Sequence, residues 1–199
     1  MGNVHNQRPP LWSMPEIKKQ KIDIGDSKYE AELQIFSKDD HEKLKELYQN
    51  WKKLKTGLAS MKSRHPNLPE GISEGAFALF FDSPRVISVP KATSDSFDNY
   101  SMKTKKRIQV KATTVESALT SFGPKSVWDE LWFLDFYRDG KFDGKFDAYK
   151  IPNKLIYSQK MNKNETFTDQ QKLGRRPRFS IKANIIIPNN IKPEKTCQI

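Results

Sequence analysis

The sequence predicts an α/β fold in which a mixed central β-sheet is flanked by helices. Apolar residues recur every three or four positions between Leu44 and Met61, which is the spacing of one buried helix face. From Arg85 onward they alternate with polar residues, and residues 131–137 are almost continuously apolar, as in a strand buried on both faces. A chain that combines amphipathic helices with a doubly covered strand buries them as helices packed on a sheet.

Residues 1–28 are predicted to form a flexible N-terminal arm, and residues 29–199 a single domain. The first segment contains Pro9, Pro10, Pro15 and Gly25, and its charges alternate without a sustained apolar period. The chain of 199 residues is long enough for one well-buried domain but not for two large ones.

Two helices are predicted in the first half of the domain. The first covers about residues 39–61 and ends before Pro66. The second covers about residues 69–81, with Pro84 beyond its end. Glu74 is an unexpected carboxylate in this apolar helix. Either its negative charge is stabilised by the positive end of the helix dipole, or it has a functional role. The helix pattern alone leaves both possibilities open.

The clearest strand covers residues 106–113. Its alternation places Ile108, Val110 and Ala112 on one face and Arg107, Gln109, Lys111 and Thr113 on the other. Residues 85–90 are also strand-like, and residues 96–100 are assigned to a strand joined to 106–113 by a tight basic connection. This hairpin would bring Asp98 beside Gln109 and Lys111.

Further strands follow towards the end of the chain. The Asp-Gly pairs at Asp139 and Asp143 predict a hairpin between residues 131–137 and 146–151, and Pro152 then opens a short helix. Residues 178–185 alternate between apolar and polar side chains. They predict a last strand with a basic face that contains Arg178 and Lys182.

The formal net charge of +11 indicates a polyanionic partner, either nucleic acid or an anionic membrane surface. No run approaches the roughly 18 apolar residues of a membrane span, and no cleavable leader is evident. We therefore expect a soluble, cytoplasmic protein that has no membrane partner. A single cysteine, Cys197, excludes an internal disulfide and zinc-finger sites.

The predicted hairpin carries residue types that suit phosphodiester hydrolysis. That reaction needs an activated water and neutralisation of charge on the phosphate oxygens, which a carboxylate-bound divalent cation and a nearby lysine supply. Asp98 would hold the metal, and Lys111 would position the water or stabilise the pentacovalent phosphorane. The alternative is that Asp98 and Lys111 form a cross-strand ion pair on a solvated face.

With Glu74 on an earlier helix, Asp98, Gln109 and Lys111 resemble the active-site signature of the PD-(D/E)xK nuclease superfamily. The segments SFGPKSVWDELWFLDFY and RRPRFSIK are similar to those of small type II restriction endonucleases that cut short palindromes. The resemblance extends from about Leu44 to Ile187. It implies that Asp98, Gln109, Lys111 and Glu74 are catalytic, and that Asp98, Glu74 and Gln109 bind Mg²⁺.

The chain departs from that signature at two positions. Phe97 occupies the place of the expected proline, and Gln109 replaces an acidic residue. An amide binds a hard cation less strongly than a carboxylate does. Glu74 is therefore predicted to supply the second negative charge.

Two basic clusters are candidates for binding DNA. Lys103, Lys105, Lys106 and Arg107 either contact phosphates or form a solvated turn. Arg175, Arg176 and Arg178 either read guanine bases or contact phosphates. The remaining candidate contacts are Ser96, Lys125 and Lys182.

Together with this resemblance, these features predict a prokaryotic type II restriction endonuclease that cleaves double-stranded DNA with Mg²⁺ at a short, palindromic sequence. A homodimer is expected, because two copies of one site match the two-fold axis of a palindrome. The same host should carry a cognate DNA methyltransferase. Two alternatives stay open: a repair or transposon-end nuclease with the same core, and a noncatalytic DNA-binding protein.

Overall fold

The computed structural model of the protein describes residues 15–90, 97–116 and 118–199. The strands are β1 (Glu16–Ile24), β2 (Ser27–Ile35), β3 (Arg85–Ser88), β4 (Asn99–Ser101), β5 (Lys106–Thr113), β6 (Thr120–Ser121), β7 (Glu130–Asp135), β8 (Lys145–Ile151), β9 (Arg178–Phe179) and β10 (Lys195–Gln198). The helices are α1 (Asp40–Ser60), α2 (Glu70–Phe81), α3 (Asn153–Tyr157) and α4 (Phe167–Lys172).

Eight of the strands form one sheet in the order β1-β2-β3-β4-β5-β7-β8-β10, and β6 pairs with β9 separately. The β5–β7 pair is parallel, and the other pairs of the large sheet are antiparallel. The prediction of a mixed central sheet flanked by helices is confirmed.

The segment predicted as an arm forms the edge of this sheet. β1 and β2 make a hairpin in which Gly25 adopts a φ of +59°, a conformation that glycine reaches at low cost. The arm prediction is therefore wrong for residues 16–28, while residues 1–14 lie outside the described part of the chain. Only Ile22 of β1 is buried, so the pairing with β2, rather than an apolar period of its own, holds this strand in place.

Both long helices are confirmed, and they cover one face of the sheet. α1 buries Leu44, Tyr48 and Trp51, whereas three members of its predicted stripe are exposed, namely Leu47, Leu54 and Met61. α2 buries Phe77, which packs on Trp132 of β7. Fewer residues of α1 are buried than the apolar pattern predicts, because only the side of the helix that faces the sheet is covered.

The two faces of β5 separate as predicted. Ile108 and Val110 lie in the apolar cluster formed with the helices. On the opposite face of the sheet, Leu131 and Phe133 of β7 pack with Phe122 in a second cluster. The central sheet is therefore buried on both faces, and Lys111 of β5 lies opposite Phe133 in the parallel register.

The predicted last strand is wrong beyond its first residues. β9 ends at Phe179, and a π-helical turn follows over Lys182–Ile186. Ile181, Ile185 and Ile186 are buried together in the second cluster. Ile181 and Ile185 are four residues apart, and that spacing places two side chains on one side of a strand or of a helix. The alternation of apolar residues therefore did not distinguish a strand from a helical turn.

Among the helices of the described residues, none combines the length and the apolar character needed to cross a bilayer.

Candidate active site

Asp98 lies directly before β4, between two neighbouring strands. Its backbone N–H donates to the Ile108 carbonyl at 2.9 Å, and its carbonyl accepts from the Val86 N–H at 2.8 Å. β4 and β5 form the predicted antiparallel hairpin, with Asn99 opposite Ile108. The backbone of Asp98 is therefore hydrogen-bonded on both sides, which fixes the position of its Cα relative to β3 and β5.

The carboxylate of Asp98 is held by residues of β5. Its Oδ2 accepts from the backbone N–H of Val110 at 2.7 Å and from the side-chain amide of Gln109. Gln109 is buried, with 3% of its surface exposed. The neutral amide can donate to Asp98, which a glutamate or aspartate at this position could not do in its ionised form.

Glu74 reaches the same region from the second turn of α2. Its side chain is only 10% exposed, and its Oε2 lies 2.6 Å from Nε of Arg85. The acidic residue in the first turn of this helix is Glu70. The helix-dipole interpretation therefore applies to Glu70, and Glu74 is held by an ion pair instead.

These side chains meet at one cavity of about 430 Å³. Glu74, Asp98 and Lys111 line it, together with Arg178 from β9. Gln109 does not belong to the lining and contacts Asp98 from within the protein. Three of the four predicted catalytic residues therefore share a single opening, which three separate segments of the chain assemble.

The electrostatics of the cavity raise the pKa values of both carboxyls. Burial, followed by the negative charge of Glu74, raises the pKa of Asp98 to about 7. Burial also raises the pKa of Glu74, although the ion pair with Arg85 opposes that shift. Two partly desolvated carboxylates that repel each other make a position where a cation is stabilised.

Lys111 supplies positive charge to this pair, since it lowers the pKa values of both Asp98 and Glu74. Its Nζ lies 5.7 Å from the centroid of the Phe122 ring. Phe122 belongs to the buried cluster beneath β5, so one side of the lysine is packed against a fixed aromatic surface.

The donor set fits a hard divalent cation. Carboxylate oxygens are the ligands that Mg²⁺ prefers, and it usually keeps several waters. Within residues 15–90, 97–116 and 118–199, no cluster of three or more His, Cys, Asp or Glu side chains suits a metal. Asp98 and Glu74 could hold a cation between them, with waters or backbone carbonyls completing its coordination, and the exposed Glu70 lines the same cavity.

The predicted DNA contacts differ in their surroundings. Arg178 lines the cavity itself. Four others have exposed side chains and do not line the cavity: Lys103, Lys106, Lys125 and Arg176. Lys105 forms an ion pair with Asp23 at 2.9 Å, and Arg175 forms one with Glu165 at 2.8 Å. Ser96 lies outside the described residues.

Arg107 and Lys182 are engaged within the fold. The Arg107 guanidinium binds both carboxylate oxygens of Asp129, at 3.0 and 2.9 Å, and its backbone N–H also donates to that carboxylate. Lys182 contacts the buried Asp135 at 2.7 Å. The predicted basic face of residues 178–185 does not exist as one surface, because the π-helical turn redirects Lys182 towards β7.

We expect Arg107→Ala to lower the free energy of unfolding by about 1.5–3 kcal/mol, because it removes charge-assisted hydrogen bonds from a half-buried carboxylate. Urea unfolding measures this change. The salt dependence of DNA binding should stay as in the wild type, whereas the exposed neighbour variant Lys106→Ala should reduce its slope by about 1. A smaller slope in Arg107→Ala at unchanged stability would instead assign Arg107 to DNA.

Three residues near the site were not identified from the sequence. Arg85 binds the Glu74 carboxylate, and Asn99 donates from Nδ2 to the Glu74 carbonyl at 3.1 Å. Ser73 lines the cavity beside Glu74. The adjacency of Asn99 to Asp98 was the one available signal, since Arg85 and Glu74 are related only through the packing of α2 on β3.

Comparisons with known proteins identify the family of this chain. The model of the Bsp6I restriction endonuclease family matches residues 36–188, which include every residue of the candidate site. The type II restriction enzyme Bsp6I from Bacillus sp. (strain RFL6) is 34% identical over 148 residues, covering 72% of this chain and 79% of that enzyme. No solved structure matches significantly. Because the family match covers most of the chain, the protein belongs to the Bsp6I restriction endonuclease family and is a type II restriction endonuclease, a site-specific deoxyribonuclease.

Proposed function

We propose that this enzyme uses Mg²⁺ to hydrolyse both strands of double-stranded DNA at a short palindromic sequence. The observation that carries the proposal is the convergence of Glu74, Asp98 and Lys111 on one cavity, with Arg178 on its wall. Family membership supports a divalent metal cofactor and a double-stranded DNA substrate. The identity of the metal, the symmetry of the target and the residue roles are proposed.

Asp98 and Glu74 bind the metal through carboxylate oxygens. A Mg²⁺ ion held there would lower the pKa of a water and neutralise charge on the scissile phosphate. Gln109 fixes Asp98 by donating to its Oδ2, and its amide is thus a positioning group. This role differs from the metal ligand predicted from the sequence, because Gln109 does not line the cavity.

Lys111 acts on the reacting phosphate. Its ammonium lines the cavity with both carboxylates, so it can donate to the attacking water and orient it towards phosphorus. The same charge stabilises the additional negative charge that develops on the nonbridging oxygens in the phosphorane. The Phe122 ring beneath it limits the positions that its Nζ can occupy.

Basic side chains hold the DNA, and one of them belongs to the cavity itself. Arg178 contacts the phosphate nearest the reaction, since it lines the same cavity as Lys111. Arg176 is exposed beside it and is the candidate to read guanine through its two-pronged guanidinium. Lys103, Lys106 and Lys125 neutralise phosphates further along the duplex, and Arg175 and Lys105 can join them by exchanging their carboxylate partners.

A homodimer places two such cavities on the two strands of a palindrome, because both then share one two-fold axis. The enzyme acts in the prokaryotic cytoplasm, where the host genome is also present. A cognate DNA methyltransferase must therefore protect the same sequence in the host.

Digestion of unmethylated phage DNA tests the proposed reaction. We expect discrete fragments in Mg²⁺ and intact DNA in EDTA, and sequencing of the fragment ends should reveal one short palindrome. A smear without a common end sequence would contradict site-specific cleavage. Intact DNA with Mg²⁺, on a substrate that is shifted in a gel, would contradict the metal-dependent reaction.

A supercoiled plasmid with one target site tests the dimer. A dimer that cuts both strands in one encounter should produce linear DNA with little nicked intermediate. Accumulation of nicked circles by a protein that sediments as a monomer would contradict the two-fold arrangement.

A further inference from the structure

We propose that Arg85 is a positioning residue that holds the Glu74 carboxylate in the orientation needed to bind the metal. The inference rests on the proposed function, in which Glu74 is a metal ligand. Arg85 itself is absent from the cavity lining, so it acts through Glu74 rather than on DNA or the metal.

The contact between the two residues is short and largely shielded from water. Nε of Arg85 lies 2.6 Å from Oε2 of Glu74, and the two side chains are 24% and 10% exposed. The buried Gln34 of β2 lies on the far side, where its Oε1 is 3.5 Å from Nη1 of Arg85. Arg85 thus contacts both β2, through Gln34, and the active-site helix α2, through Glu74.

Glu74 is also held through its backbone. The Nδ2 of Asn99 donates to the Glu74 carbonyl at 3.1 Å and to the Ser83 carbonyl at 2.9 Å, and Asn99 is fully buried. Asn99 pairs with Arg85 between β3 and β4 and directly follows Asp98. One pair of opposed strand residues therefore fixes both ends of Glu74 relative to Asp98.

Glu74 needs such a restraint because of the charge beside it. Glu74 and Asp98 line the same cavity, where two carboxylates with no cation between them repel each other. A glutamate side chain has three rotatable bonds, and repulsion favours rotamers that point away from Asp98. Arg85 binds Oε2 against that repulsion and leaves Oε1 as the oxygen for the metal.

The neutral Gln109 makes this restraint important for metal binding. Where the PD-(D/E)xK signature has a second acidic residue on the hairpin, this chain depends on a carboxylate from α2. Because α2 is a separate element from the hairpin, the Glu74 side chain has to be directed towards Asp98 by its own contacts. Partners that orient metal ligands in this way typically contribute about 10–100-fold to metal affinity or activity.

Calorimetric titration of Mg²⁺ into the full-length protein, without DNA, tests the inference independently of cleavage. We expect Arg85→Ala to weaken Mg²⁺ binding by about tenfold and Arg85→Lys to restore part of the loss, since lysine returns the charge but not the fixed Nε donor. The concentration of Mg²⁺ needed for half-maximal DNA cleavage should rise by a similar factor.

Arg138→Ala is the matched control. Nε of Arg138 lies 3.3 Å from Oδ2 of Asp147, and its side chain is 31% exposed, so the substitution breaks a comparable ion pair away from Glu74. It should leave Mg²⁺ affinity unchanged. Thermal unfolding of both variants shows whether each is folded at the temperature of the titration.

The double variant Arg85→Ala with Glu74→Ala separates the possible outcomes. If Arg85 acts through Glu74, the double variant should bind Mg²⁺ as Glu74→Ala does. An additional loss in the double variant would overturn the inference but leave Glu74 as a ligand. Wild-type Mg²⁺ affinity in the single variant Arg85→Ala would also overturn the inference about Arg85 and leave Glu74 as a ligand. Wild-type affinity in Glu74→Ala would overturn the metal role of Glu74, and the role of Arg85 with it.

Discussion

Lys111→Ala should lower the rate of DNA cleavage by about 10³-fold, because it removes the ammonium group that orients the water and stabilises the phosphorane. The rate is measured under single-turnover conditions with saturating Mg²⁺, so that it reports the chemical step. Lys111 shares the cavity with Glu74 and Asp98, and its side chain lies over Phe122. Removing one phosphate contact among many should weaken DNA binding in EDTA only slightly.

Lys150→Ala is a matched control for this experiment. Nζ of Lys150 lies 5.8 Å from the Trp132 ring centroid, close to the 5.7 Å between Lys111 and Phe122, and it pairs with Glu130 away from the cavity. Its cleavage rate should match the wild type. If Lys111→Ala cleaves within about threefold of the wild-type rate, well below the usual effect of a group acting on the transition state, the proposed role of Lys111 is wrong.

Asp98→Asn should also reduce cleavage by about 10³-fold or more, and raising the Mg²⁺ concentration should not restore it. The substitution keeps the shape of the side chain and an oxygen that can accept from the Val110 N–H. It removes the negative charge that binds the cation, and no other carboxylate of the hairpin replaces that charge. Calorimetry should show the accompanying loss of Mg²⁺ binding, and retention of wild-type affinity would contradict the assignment.

The same variant should be more stable than the wild type in EDTA at pH 8. The pKa of Asp98 is about 7 in the folded protein against 3.8 for the unperturbed group, so the folded state binds the proton more tightly than the unfolded state. Wild-type stability therefore falls as the pH rises from about 4 to about 7, and the penalty persists above that range. Asparagine carries no such penalty.

Thermal unfolding at two pH values measures this effect. The gain in melting temperature of Asp98→Asn should be present at pH 8 and nearly absent near pH 3, below the unperturbed pKa of 3.8, where the wild-type carboxyl is mostly protonated in both states. An equal gain at both pH values would show that the variant acts by packing. A gain confined to high pH would show that the ionised Asp98 carboxylate destabilises the metal-free fold, through its burial first and the negative charge of Glu74 second.

The sequence by itself determined the parts of the fold that depend on local periodicity. The stripe of α1 and the alternation of β5 each reflect which side of one element is buried, and that information lies in consecutive residues. The hairpin that carries Asp98 and Lys111 was predicted for the same reason, since β4 and β5 are separated by a short turn. β1 was missed because a largely exposed edge strand needs no apolar period.

Only the tertiary structure decided how the elements cooperate at the site. Glu74 was predicted as a ligand by resemblance, but its ion pair with Arg85 arises from the packing of α2 against β3. Likewise, Arg178 reaches the cavity because β9 pairs with β6, whereas Arg107 and Lys182 are held by acidic partners elsewhere in the fold. Sequence records the charge of a side chain. Whether that charge faces DNA, a metal or a buried carboxylate depends on residues distant along the chain, which only folding brings into contact.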